Sequence, residues 1–477
     1  MKSLIADLGA RPLADNAVGL PPSRSSPPPM SSGVAAILRP NCRKVSVRHD
    51  NATLKQRGRR PVCVKRKKTR MSKWQWLIRR FTRRLWFRPA LFALAGLFTA
   101  LFSVFFSPAL PLDFAESIGA DAVDNILNIL ASSMLAVTTF SLSTMVTAYG
   151  AATTNVTPRA TTLVVEDTAT QNVLATFIGT FLFSLVGIVA LSTGAYGEEG
   201  RAILFLVTLG VIAIIIVTML RWIDHLSRLG RVGDTIDRVE KAAMEALQAR
   251  AKRPFLGGQE AQSQPDSGWC LQLEAIGYLQ HLDAGALQKA AETADVHVQV
   301  LTLPGTYIHP TRDVLWVSRV LDEEEVKPFR SAFTVGLRRS FEQDPRFGLS
   351  VLSEIASRAL SPAVNDPGTV VDVLGRSVRL FHAYLQEDES EVPHPRLSVP
   401  GLNTSDLFED FFAPIARDGA GLVEVHIRLQ KTLHILRDLS PQFAEEARRQ
   451  SRKALVRAEA TLQIEDDKTR LRRLAQE

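Results

Sequence analysis

Charge-free stretches divide this chain. Uncharged and mostly apolar runs lie between Arg88 and Asp113, between Asp124 and Arg159, between Asp167 and Glu198, and between Arg201 and Arg221. A helix of about 20 such residues crosses the hydrocarbon of a bilayer, where no water can satisfy charge or bare backbone. The pattern therefore predicts four spanning helices. The first is dense in apolar residues over 89–106, and the third is centred on 177–191. The fourth, 202–220, is the strongest, with Val211, Ile212, Ile214, Ile215 and Ile216. Lys73, Arg79, Arg80, Arg83, Arg84 and Arg88 precede the first run, and the connection after it carries Asp113, Glu116 and Asp121 but no base. That bias keeps the N-terminus inside. Four crossings return the chain inside after Arg221, so residues 222–477 are expected in the cytoplasm. Arg228 and Arg231 agree with this placement, and Trp74, Trp76 and Trp86 suit an interfacial belt.

The second run is rich in hydroxyls. At helical spacing Ser132, Thr139, Ser143 and Thr147 share one face, and the third run repeats the theme with Thr176, Thr180, Ser184 and Gly187. Small residues and hydroxyls serve close helix packing. They also line aqueous paths. No Asp, Glu, Lys, Arg or His lies inside the charge-free runs, and such residues usually mark ion or proton routes. Packing therefore outweighs conduction. A conducting path would need a homo-oligomer, because four short spans do not enclose a pore in one copy.

Beyond the spans the period changes. The last helix is expected to run on through Trp222, His225, Leu226 and Leu229, and Val239, Ala243, Met244 and Leu247 mark a helix over 237–250. A Gly/Gln/Ser linker follows at 257–268. Residues 269–276, 296–303 and 314–317 read as strands, and Asp283 caps a helix reaching Ala294. Residues 303–317, with a turn at Pro304 and Gly305, resemble the hairpin of small swapped-hairpin β modules. Helical spacing then covers 347–360, a segment from Pro367 through Phe381, and 422–439. An aromatic-rich element lies at 406–416, an acidic Pro-bearing loop at 387–400, and a last helix at 441–471 capped by Ser440. The organisation is thus a basic tail (1–70), a four-helix membrane domain (71–221), a membrane-proximal helical region (222–256), a small β/α unit (257–320) and a helical cytoplasmic domain (321–477). The fold class is an α-helical membrane domain followed by a soluble, mostly helical α+β domain.

Charge changes this picture only at the start. Residues 1–70 hold 16 Lys or Arg against 3 Asp or Glu, leaving 41 basic against 46 acidic residues elsewhere, so the net +8 belongs to the tail. No basic face marks the folded part, and nucleic-acid binding is not expected. The tail is Pro/Ser-rich, has no apolar core of a signal peptide, and reads as unstructured. Met71 is the expected natural start. Cys42, Cys63 and Cys270 are isolated and form no metal or disulfide framework.

The most distinctive local sequences are RRSFEQDP (338–345) and ALSPAVNDPGTV (359–370). Asp366 before Pro367 is a helix N-cap followed by proline at the first helical position, Asn365 suits a turn, and Ser361 with Pro362 ends the preceding helix. The motifs serve a structural corner on that reading. The alternative brings Gln343, Asp344, Asn365 and Asp366 together as a polar site, or against the membrane-proximal helix near His225. With four preceding spans, Arg339, Ser340, Gln343 and Asp344, then Ala359, Leu360, Ser361, Pro362, Asn365, Asp366 and Pro367, resemble a bacterial family of predicted membrane proteins containing a domain of unknown function. Ser340 stands where that family has Thr, and Ala363 where it has Gly. The resemblance covers about residues 75–470. It implies a multi-pass protein of the bacterial inner membrane, with no established activity.

No phosphate loop, dinucleotide fingerprint, HExxH or GxSxG occurs. His426 and His434 lie two helical turns apart, too far to share a metal, and read as surface or partly buried residues. No cofactor or metal is expected, and an enzyme using Asp344 and Asp366 is the weakest reading. The expectation is a non-catalytic regulatory or scaffold protein whose cytoplasmic domain binds an unknown ligand or protein partner, set against an oligomeric channel or transporter lined by the Ser/Thr rows.

Overall fold

The computed structural model describes residues 120–477, apart from 166, 194–197, 229, 263–266, 386–391 and 477, together with positions 90, 94 and 98. The basic tail, Met71 and, apart from those three positions, the first of the four expected spans lie outside the described residues. Helix α1 (Ala120–Asn155) is followed by a short α2 (Thr161–Val165), then by α3 (Thr168–Ser192) and α4 (Glu198–Arg228). Of these, α1, α3 and α4 are long and apolar enough to cross a membrane. Half of the apolar window of α3 is buried, 50% against 22% for α1 and 17% for α4, so α3 is the central helix. Phe140, Val189, Leu206, Ile214 and Leu220 stand exposed around the group. That outward apolar coat is what lipid tails accept and water does not.

The two hydroxyl rows have different surroundings. On α3, Thr180 and Ser184 are buried, and a Cβ on Gly187 would come within 3.0 Å of Leu127 on α1. That row lies in the packed seam between α3 and α1. On α1, Ser132, Thr139, Ser143 and Thr147 are exposed. Their helix absorbs much of their polarity: Ser132 donates to the Asn128 carbonyl, Thr139 to Ala136 and Thr147 to Ser143.

After α4 the chain turns at Gly230, whose φ of +81° suits glycine. Helix α5 (Val232–Lys252) follows, with Ile236, Val239, Ala243 and Leu247 on its buried side. Next come two sheets. In chain order their elements are β1 (Gln259–Glu260), β2 (Trp269–Gln272), β3 (Gly277–Leu282), α6 (Ala284–Thr293), β4 (Val298–Val300), β5 (Tyr307–Ile308), β6 (Asp313–Val317), α7 (Glu323–Ser331) and β7 (Phe333–Gly336). Strand β8 (Leu397–Val399) returns from far along the chain to complete a five-stranded sheet of order β1-β8-β4-β6-β2, beside a three-stranded sheet β5-β3-β7. Strand β8 runs parallel to both neighbours, with Val298 of β4 opposite Leu397 and also opposite Val317 of β6. β6 is buried on both faces, which is why it reads as a continuous apolar run.

The remaining helices are α8 (Pro345–Ala359), α9 (Pro367–Tyr384), α10 (Thr404–Asp418), α11 (Val423–Leu439), α12 (Pro441–Thr461) and α13 (Glu465–Gln476). Phe381, Phe408, Phe411, Phe412 and Phe443 pack their rings against one another at its centre, and α5 joins the same core through Ile236, Val239, Ala243 and Leu247. At Gly348 the α8 backbone passes so close that a Cβ would lie 2.4 Å from that of Ala243 on α5. The membrane-proximal helix is therefore a wall of the helical core.

Three sequence expectations change here. Residues 307–308 and 313–317 join different sheets and form no hairpin with one another. The expected last helix breaks at Leu462, which is extended, and Glu465, Asp466 and Asp467 open α13 where acidic side chains favour a helix N-terminus. His426 is neither exposed nor partly buried but has 0% exposure. Burial and the nearby Arg457 charge hold its imidazole down to about 4, against the opposing pull of the Ala416 carbonyl. Between that value and its unfolded value of about 6.5, the unfolded chain binds the proton and the folded one does not. Stability should therefore fall as pH drops from about 6.5 to 4, by up to about 3 kcal/mol. Urea titrations of wild type and His426→Phe across that range check this. The variant should show the shallower fall, and parallel curves would refute the assignment.

Candidate functional site

The two sequence motifs fall at opposite ends of α8. Asp344 caps its N-terminus, accepting from the Phe347 amide at 3.1 Å. Arg339 grips the same carboxylate with two bonds, Nε at 2.7 Å and Nη2 at 3.0 Å, and lies over the Phe347 ring. Asp344 is 2% exposed, and burial pushes its carboxyl above the ordinary value while Arg339 pulls it down. Gly305, at φ +96°, packs onto that carboxylate, where a Cβ would meet Oδ2 at 2.3 Å. Gln343 uses both halves of its amide on one residue. Its Oε1 accepts from the Leu282 amide at 2.9 Å, and its Nε2 points to the Leu282 carbonyl at 3.4 Å. It acts as a one-residue strand partner at the end of β3. Arg339, Gln343 and Asp344 thus fasten the three-stranded sheet to α8.

The other motif forms the corner between α8 and α9. Asp366 caps α9, accepting from the Thr369 amide at 3.0 Å and its hydroxyl at 2.6 Å, with Pro367 in the first turn. Those bonds hold its carboxyl below the ordinary value. Asn365 takes the left-handed conformation, φ +48°, and its amide donates to the Ser361 carbonyl. Asn is among the few residues that tolerate this. Because α8 has 15 residues, Asp344 and Asp366 are separated by about 22 Å of helix. Gln343 and Asp344 do not converge with Asn365 and Asp366, and among the described residues His225 bonds to neither pair.

His225 instead meets Asp167, a residue that the sequence marks only as the edge of a charge-free run. Asp167 caps α3 through the Thr170 amide at 3.0 Å and hydroxyl at 2.7 Å. His225 Nε2, near the end of α4, lies 2.9 Å from its Oδ2, and Arg238 Nη1, from α5, lies 3.0 Å from its Oδ1. Arg238 also donates to Asp234 at 2.7 Å, and Trp222 stacks on the His225 ring. Burial alone would raise the Asp167 carboxyl. Hydrogen bonds from His225 and Thr170 and the Arg238 charge together hold it far below the ordinary carboxylate value. The clue in the sequence was the D-x-x-T cap pattern at the start of the span.

This cluster borders a cleft of about 780 Å³. Asp167, Thr168 and Arg238 form its membrane-side wall, α5 contributes Lys241 and Arg250, α6 supplies its first turn, and Phe341 and Gln343 close another side. Its size suits a small ligand. Arg250 is the residue that periodicity could not single out, since basic residues are ordinary at a helix C-terminus. Among the described residues no group of three or more His, Cys, Asp or Glu is placed to hold a metal ion.

The chain matches the family described as "Predicted membrane protein (DUF2254)" over residues 82–434, and it belongs to that family. It is also 31% identical over 104 residues to uncharacterised proteins of Mycobacterium bovis and Mycobacterium tuberculosis, covering 20% of this chain and 20% of each relative. The chain thus aligns with about one fifth of the length of the curated relatives it matches. No solved structure matches it.

The α8–α9 corner yields a direct test. Asn365→Gly should leave thermal stability within a few tenths of a kcal/mol, whereas Asn365→Val should cost about 1–2 kcal/mol because a β-branched residue resists positive φ. Asp366→Ala should cost about 1 kcal/mol as a lost cap. Thermal unfolding of the purified chain measures all three. An Asn365→Gly protein that melts as wild type yet loses function in cells would show that the corner is a site after all.

Proposed function

We propose that this chain is a non-catalytic regulatory protein of the bacterial inner membrane, with both termini cytoplasmic, in which a ligand-binding cytoplasmic domain reports to the spans. The observation that carries this reading is the Asp167 carboxylate. It ends one span, receives the side chain of a second, and binds a helix that is itself a wall of the soluble core. One wall of the cleft includes the same Asp167 and Arg238. A ligand that moves α5 therefore acts on the foot of α3 and the end of α4 through charge-assisted bonds, which are strong and directional. Coupling of this kind needs two sites sharing one physical element, and α5 is that element. The flanking bases before the first charge-free run support the cytoplasmic orientation.

Hydrogen exchange on the full chain in nanodiscs tests the coupling. Asp167→Asn should speed exchange by about tenfold in both 168–175 and 232–252, the effect expected from weakening charge-assisted bonds. Faster exchange confined to one of the two segments would show that they are not coupled through this residue.

A second reading, an oligomeric channel, is favoured by the exposed hydroxyl row on α1. It predicts that purified oligomer passes ions or small solutes in a liposome flux assay, and that Thr139→Val with Ser143→Ala lowers the flux. Absence of flux from a verified oligomer removes it.

A further inference from the structure

We infer that the cleft beneath the membrane face binds a phosphate-bearing ligand, held by Arg250, the first turn of α6 and Lys289. The inference rests on the reading that this cleft is the one whose occupancy the protein reports, and it names the ligand chemistry.

Charge pairing in the cleft is uneven. Arg238 is paired with Asp167 and Asp234. Lys241, Arg250, Arg253 and Lys289 also line the cleft. None of these four forms an ion pair among the described residues. Of the carboxylates on the walls, Asp167 is committed to His225 and Arg238, and Asp283 to the Ala286 amide at 2.9 Å. Glu245 and Glu342 complete the acidic side. Cations without an assigned partner therefore outnumber the remaining acids.

Arg250 is the decisive member. It is 5% exposed, and its Nη2 donates to the Pro400 carbonyl at 3.0 Å. Its Nε is buried and meets no acceptor among the described residues. Burial lowers its guanidinium to about 10, the mark of a cation taken out of water without a carboxylate to balance it. A buried charge is costly unless paired, and guanidinium pairs best with a planar or tetrahedral oxyanion. The second contribution is α6. Ala284 and Gly285 line the cleft at its N-terminus; the Asp283 carboxylate takes the Ala286 amide, which leaves the Ala284 and Gly285 amides without intrahelical partners on the end of the dipole that favours an anion. A guanidinium, two or three ammonium or guanidinium groups at the rim and a helix N-terminus together suit a phosphate dianion better than a single carboxylate. Leu163, Leu256 and Phe341 give the cleft an apolar wall for the organic part. Thr168 and Asp167 place the start of a span on its border, so the phosphate can come from a lipid headgroup or from a soluble metabolite.

The test uses the full chain in phosphatidylcholine nanodiscs. Inorganic phosphate and adenosine monophosphate are titrated calorimetrically, and parallel nanodiscs contain phosphatidylglycerol. Binding of the soluble probes identifies a soluble source. A rise in unfolding temperature with phosphatidylglycerol alone identifies a headgroup. In either case Arg250→Gln should weaken the effect at least about tenfold, as loss of a charge-assisted bond predicts. Arg253→Gln with Lys289→Gln, at exposed positions outside the core, should weaken it several-fold and flatten its salt dependence, and this pair decides the matter if Arg250→Gln fails to fold. No response to any probe, or equal responses in wild type and every variant, overturns the proposal. The coupling reading fails separately: phosphate binding that leaves exchange in 168–175 unchanged keeps the site and discards the coupling, whereas Asp167-dependent exchange without phosphate binding does the reverse.

Discussion

A carboxylate at the foot of a membrane helix stays ionised only where partners replace its water. Asp167 meets that condition through the Thr170 amide and hydroxyl, His225 and Arg238. Each partner comes from a different mechanical unit: the first turn of α3, the end of α4 and the start of α5. Satisfying one charge therefore fixes the positions of three helices. Removing any one donor leaves the carboxylate under-compensated in a mostly buried site, which is costlier than the bond itself was worth. The arrangement converts the local demand of one charge into a constraint between membrane and soluble parts.

The constraint propagates because α5 has no slack on its other side. Its apolar face is shared with α8 and α9, and the approach at Gly348 and Ala243 leaves no room for an added methyl. Arg376 from α9 binds Asp237 and Glu240 on the same helix, and Arg379 binds Glu240. Packed cores shift between discrete arrangements rather than deform smoothly. A helix held by close packing on one face and by ion pairs on the other is the rigid element that the proposed coupling requires, and it carries both Arg238 and Arg250.

How much of this was legible in the sequence follows from the range of the forces involved. The apolar runs were readable because hydrocarbon penalises charge residue by residue, and three of them lie on described helices. The caps were readable because they act over three residues: Asp283, Asp366 and Ser440 each accept an amide two or three positions ahead. The short strands were not. β8 is three residues long and pairs with β4 about 100 positions earlier, so neither periodicity nor turn chemistry announces it. The separation of Asp344 from Asp366 was hidden for a related reason. Two motifs close in sequence suggest one site, but a 15-residue helix between them guarantees distance. Arg250 sits three residues after Leu247 on the buried face of α5, but a basic residue at a helix C-terminus is ordinary, and its bond to the Pro400 carbonyl joins segments too far apart in the chain for local pattern to show.

The two hydroxyl rows show why composition alone does not decide between packing and conduction. On α3 the row coincides with Gly187 and with the buried seam against Leu127, so small size is what the position requires. On α1 Ser132, Thr139 and Thr147 bond back to carbonyls three or four residues earlier. A hydroxyl satisfied within its own helix can face lipid at modest cost, and it offers less to a passing ion. The α1 row is therefore compatible with lipid or with another helix against it, and its polarity by itself does not call for water. What distinguishes the cleft is the opposite condition: there the buried Arg250 Nε has polarity that no described residue answers.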